Sequence, residues 1–147
     1  MRTGKSQAKA IVLLLAGLMG LVPGNAAASI GVGFGADYWF NGTSEFNFTA
    51  APMLSLTPGV SVGGRFGLLL VGSPATAGVP LDAQLRISIQ QLYLEGSFGP
   101  WIFFADHPFH THAAFGFGWQ IGLISLGVEA GWLDPNAIMG ARLGLRL

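Results

Sequence analysis

All three histidines of the chain fall in one short run, Asp106-His107-Pro108-Phe109-His110-Thr111-His112. In an extended backbone alternate side chains share a face, so His110 and His112 would project together. Imidazole nitrogen binds zinc or copper, and His107, His110 and His112 are the metal set the sequence offers. The spacing is not that of HExxH or a comparable motif, so a solvated loop is the simpler reading of the run. A histidine acting as general base would need a nucleophile within hydrogen-bond reach. The serine that comes to mind, Ser125, lies with Glu129 on a different segment, and nothing in the sequence assembles a triad. No catalytic residue is assigned and no cofactor is implied. Gly31, Gly33 and Gly35 alternate within a strand and precede no helix, which removes a phosphate-binding loop.

A second constellation is spread along the whole chain. Asp37, Arg65, Asp82, Arg86, Glu129 and Arg142 each sit within a segment of period-two alternation, always opposite the bulky apolar residues. A slip of one residue reverses the face, so random placement would put all six on that side about 1 time in 60. The charges therefore belong to one interior. Three carboxylates against three guanidinium groups are expected to form a lumen ion network, with the neighbouring glycines leaving room for the long side chains. Such a network is satisfied only when every member is paired and hydrogen-bonded.

The segments that carry these charges are strands. From Ser29 to Phe40, Ile30, Val32, Phe34, Ala36, Tyr38 and Phe40 face one way and Gly31, Gly33, Gly35 and Asp37 the other. Val60 to Val71 repeats the pattern, with Val62, Phe66, Leu68 and Leu70 opposite Ser61, Gly63, Arg65 and Gly67. The segments from Leu81, from Ser125 and from Met139 do the same. An arginine on the lipid face of a membrane barrel near the midplane costs about 2 to 4 kcal/mol, which explains the strict segregation.

Composition separates a membrane barrel from a soluble one. The chain is 51% hydrophobic and 10% charged, and both lysines, Lys5 and Lys9, lie in the first ten residues. A soluble surface normally mixes lysine with glutamate. A soluble secreted β-barrel binding an apolar ligand is the alternative, and it would have to fold the apolar face inward. Arg2, Lys5 and Lys9 precede the apolar run Ala10 to Val22, and Ala26-Ala27-Ala28 offers small residues for cleavage, so residues 1–28 read as a secretory signal peptide. Its loss leaves four arginines against seven acids, a net charge near −3, which gives no basis for nucleic-acid binding. The absence of cysteine excludes a disulfide framework and a lipoprotein anchor.

Residues 29–147 form a single β-barrel domain. Eight strands of about 11 residues with connections of about 4 fill this length, whereas ten strands would overrun it. The expected fold is all-β, an antiparallel up-and-down transmembrane barrel. Asn41 to Glu45, Gly72 to Pro80, Asp106 to His112 and Asp134 to Asn136 are expected as connections at one end, with aromatic residues clustered beside them. At the other end Thr57-Pro58-Gly59 and Gly122 to Ser125 turn the chain. Between strands four and five the alternation slips near Gln90-Gln91, while Gly96 to Pro100 is the strongest turn signal. Pro52 should interrupt the ladder of strand two.

With these elements the chain resembles the small eight-stranded outer-membrane barrels of Gram-negative bacteria, the OmpA/OmpX-like group, across residues 29–147 and by pattern. In its last strand, Ala137 to Leu147, the run Gly140 to Leu147 is similar to the assembly signal of such proteins, although it ends on Leu147 where the group usually has Phe or Trp. The resemblance implies residence in the bacterial outer membrane, contact with its lipids, and recognition by the barrel assembly machinery through the C-terminal strand. A monomer is expected. Lipid A deacylases of this architecture carry a His-x-Ser pair on a strand, where this chain has His110-Thr111-His112. The expected function is a structural or surface-interaction role with a lumen filled by side chains. An eight-stranded barrel is just wide enough for its own side chains, which favours the filled lumen; a lipid-modifying enzyme and a narrow channel, for which the glycines would leave room, are the alternatives.

Overall fold

The computed structural model describes residues 27–147, and the signal peptide reading lies largely outside them. Eight strands follow in order: β1 Ala28–Trp39, β2 Thr43–Thr57, β3 Val60–Gly72, β4 Ala75–Ile89, β5 Leu92–Phe103, β6 Phe109–Ile121, β7 Ile124–Leu133 and β8 Asn136–Arg146. Each pairs antiparallel with the next, and β8 pairs with β1 to close the barrel. Closure leaves no free sheet edge, which is what a β-structure needs where no water can satisfy backbone groups.

The alternation is oriented as the sequence indicates. Phe34, Phe48, Phe66, Leu68, Phe115, Phe117 and Leu143 point outward and stay exposed, while Asp37, Arg65, Asp82 and Glu129 are buried inside. A soluble barrel with the apolar face as its core is thereby overturned. Inward-facing residues are not all polar, however. Trp39, Leu69, Val71, Trp101, Phe103, Leu133 and Ile138 form one buried cluster across the lumen. All of them lie toward the end of the barrel that carries the β1–β2, β3–β4, β5–β6 and β7–β8 connections. This apolar plug was hidden in the sequence because Leu69 and Val71 alternate with Leu68 and Leu70, so that part of β3 shows no polarity contrast.

The connections are shorter than the sequence suggests. Gly72 to Pro80 is not a loop: β3 and β4 are joined by Ser73 and Pro74 alone. Likewise β2 starts at Thr43 and β6 at Phe109, so Glu45, His110 and His112 belong to strands. The β4–β5 turn is Gln90-Gln91, with Gln90 at a φ of 56°, and Gly96 to Pro100 lies within β5. Glycine and proline serve a different purpose there. A Cβ on Gly99 would run into the Leu81 carbonyl, and between the Pro80↔Trp101 and Ala83↔Phe98 pairs the β4–β5 ladder is interrupted. Close backbone approach selects the same residues as a turn does. At Pro52 the β2–β3 ladder is also interrupted, between the Ala50↔Phe66 and Met53↔Gly63 pairs, while the register shift comes later, between Ser55 and Thr57.

Candidate functional site

Strand register places the charged side chains in the lumen beneath the plug. Arg65 and Asp82 are direct cross-strand partners on β3 and β4, Asp37 and Glu45 on β1 and β2, and Arg86 and Glu95 on β4 and β5. Arg65 is the centre of the cluster. Its Nε and Nη2 donate to Asp82 Oδ2 at 3.0 and 2.7 Å, and its Nη1 donates across the lumen to Glu129 Oε2 at 3.0 Å. Arg142 links the other side, with Nη2 donating to Glu129 Oε1 at 2.8 Å and Nη1 to Asp37 Oδ1 at 2.6 Å. Asn47 Nδ2 donates to the second oxygen of Asp37 at 2.6 Å.

Five of the six expected residues, Asp37, Arg65, Asp82, Glu129 and Arg142, thus form one chain of alternating charge. Arg65 Nη2 also reaches the second Glu129 oxygen, Oε1, at 3.4 Å, and such multiple guanidinium–carboxylate bonds are what compensates burial of both charges. The glycine argument holds in detail: a Cβ on Gly35 would come within 2.5 Å of Arg142 Nη1, and one on Gly140 would collide with the Asp37 carboxylate. Arg86 does not join this chain. Its Nη2 and Nε reach Glu95 Oε2 at 2.6 and 2.8 Å, and its guanidinium lies 4.4 Å from the Tyr93 ring centre. Gln84 Nε2 completes this second cluster with a 3.0 Å bond to Glu95 Oε1.

The structure does not gather His107, His110 and His112 into a metal site. No group of three metal-ligating side chains occurs among the described residues. His112 is fully buried, with Nδ1 2.8 Å from Asp82 Oδ1 and its ring stacked on Trp101 at 4.4 Å. His110 does share its face but sits higher, edge-on to Trp39 and Phe103, with Nδ1 2.5 Å from the Asp134 carbonyl. His107 lies in the β5–β6 connection. The strand begins earlier than the composition suggests, and the Nδ1 atoms of His110 and His112 face different acceptors, the Asp134 carbonyl and the Asp82 carboxylate.

Sequence reasoning missed Glu45, Glu95 and His112 as lumen groups. The signal was present for Glu45, since Thr43, Glu45 and Asn47 alternate with Ser44, Phe46 and Phe48, but the polar run Asn41 to Glu45 reads as a turn. Glu95 was lost with the misplaced β4–β5 turn. Trp101 is a further member: its indole Nε1 donates to both oxygens of Asp82 at 3.2 Å, tying the plug to the network. No serine or threonine hydroxyl bonds to His110 or His112 among the described residues. Chemically, the arrangement fixes paired charge in the interior of the barrel.

No protein-family model matches the sequence, and no curated protein matches it. Solved structures do. A de novo designed transmembrane β-barrel superposes with a TM-score of 0.65 at 12% identity, covering 81% of this chain and 95% of that one. A second designed barrel, TMB2.3, solved by NMR in solution, gives 0.56 at 19% identity, with 85% and 98% covered. The N-terminal β-barrel domain of Pseudomonas aeruginosa OprF gives 0.53 at 12% identity, with 81% and 97% covered. At these identities the likeness concerns architecture alone, and by architecture the chain is an eight-stranded antiparallel barrel of the transmembrane kind.

Proposed function

We propose that the protein is a small outer-membrane β-barrel with a closed lumen, serving a structural or surface-interaction role in the Gram-negative cell envelope and not an enzymatic one. The observation that carries this reading is the lumen itself. An apolar plug above a buried ion network, with short connections and no assembled catalytic group among the described residues, supports a closed and non-enzymatic barrel. Outer-membrane lipids surround the apolar face, β8 is read by the barrel assembly machinery, and the barrel works as a monomer. With the β1 start in the periplasm, the connections next to the plug face outward, where Tyr38, Phe40, Phe109 and Trp132 supply an interfacial aromatic girdle.

Expression in a Gram-negative host tests the reading. The protein should band with outer-membrane density, migrate differently on a denaturing gel with and without boiling, and give no conductance steps in planar bilayers. Lipid A and phospholipid acyl chains should be unchanged on expression. Reproducible conductance would replace the closed barrel by a channel, and altered acyl chains that depend on His110 or His112 would replace it by an enzyme.

A further inference from the structure

Every arginine of the described chain lines a single cavity. Arg65, Arg86, Arg142 and Arg146 border a polar space of about 80 Å³ at the end of the lumen opposite the plug, near the start of β1 and the end of β8. Of the lumen carboxylates only Glu95 lies on its wall; Asp37, Glu45, Asp82 and Glu129 do not. Arg86 and Arg146 lie nearest this mouth, opposite Ser61 and Gly31, with Glu95 as the acid beside them, while Asp37 and Glu45 lie toward the plug, so the mouth is the more cationic end of the lumen.

These cations are not all spent. Arg146 makes no ion pair among the described residues. The Arg142 Nε is buried without an acceptor. Arg86 shares one carboxylate, Glu95, with Gln84. A buried or half-buried N–H without an acceptor is costly, so the wall calls for a ligand that only accepts. Ser29, Gln120 and Ser125 at the same mouth add neutral donors. The space holds several waters or one small oxyanion. Planar guanidinium groups match the oxygens of a phosphate, which arginine binds in pairs of parallel hydrogen bonds.

We propose that this arginine-lined cavity binds a phosphate group through Arg146, Arg86 and Arg142. The group comes either from free phosphate or from the headgroup of an anionic lipid at the rim. The proposal does not depend on which membrane or which side the mouth faces.

Protein extracted from membranes into a neutral detergent would be titrated with inorganic phosphate by calorimetry at low ionic strength. In parallel, it would be exchanged into vesicles of phosphatidylcholine containing a minor fraction of phosphatidic acid, re-extracted, and examined by native mass spectrometry for retained lipid. Arg146→Gln should weaken binding by about tenfold, the loss of one charge-assisted bond, and Arg146→Lys should recover part of it. Arg86→Gln should weaken it as well. The gel shift on boiling reports that each variant is folded, and Asp106→Asn, at the opposite end, should change nothing. Saturable phosphate binding that the arginine variants weaken supports a soluble ligand. Retention of phosphatidic acid alone, lost in Arg146→Gln, supports the headgroup. No binding of either, or binding that both arginine variants leave intact, overturns the proposal.

Discussion

Among the described residues Glu45 is the one lumen carboxyl group without a hydrogen-bond partner. It is fully buried, both of its oxygens lack a hydrogen bond, and its cross-strand neighbour is another acid, Asp37. Burying an acid with no counter-charge beside a second carboxylate is costly, and Glu45→Gln removes the acid while keeping the shape, so it should stabilise the barrel, by about 1 kcal/mol in urea unfolding from lipid vesicles. A loss of stability would show that Glu45 contributes to holding the lumen together. Arg65 is the opposite case, because it holds Asp82 and Glu129 together. Arg65→Gln leaves two buried carboxylates short of a counter-charge and should destabilise by about 3 to 5 kcal/mol, where Arg86→Gln, nearer the mouth, should cost less. Unchanged unfolding of Arg65→Gln would remove the network from the account of stability. At this scale the alternation made Arg65, Asp82, Glu129, Asp37 and Arg142 legible as one interior. It did not reveal which charges pair, since pairing depends on shear and register around the closed barrel.

Strands were legible wherever their two faces differ in polarity, as in β1, β7 and β8. Where both faces are apolar, as at Leu68 to Val71, or where glycine and proline gather, as at Gly96 to Pro100, composition misleads. The β4–β5 hairpin gives the sharpest check. A short flexible insert between Gln90 and Gln91 lengthens a two-residue turn and adds only modest loop-closure entropy. The same insert between Gly99 and Pro100 breaks β5 where its backbone is pressed against Leu81. The first variant should keep its gel shift on boiling and the second should lose it. The reverse result would return the turn to Gly96 to Pro100. Elements also explain how the histidine run changed meaning: starting β6 at Phe109 turns His112 into a lumen residue and separates it from His107.

For the whole molecule, the proposed closed lumen has two candidate barriers, the ion network and the apolar plug, and the structure stacks them in series. The ion network is polar, and water that reached it could solvate its charges. The plug of Trp39, Leu69, Val71, Trp101, Phe103, Leu133 and Ile138 has no such use for water, and Trp39 fastens it by donating its indole N–H to the Leu133 carbonyl at 2.8 Å. An apolar constriction resists ion passage by staying dry. Leu69 and Phe103 are the residues to remove, because their side chains make none of the network's hydrogen bonds. The double variant Leu69→Ala/Phe103→Ala should keep the network and lose about 5 kcal/mol or more of core packing. In planar bilayers it should show conductance steps where the parent shows none, while Phe115→Ala on the lipid face should stay silent. If the double variant is folded and silent but Arg65→Gln conducts, the ion network is the seal and the plug is packing alone.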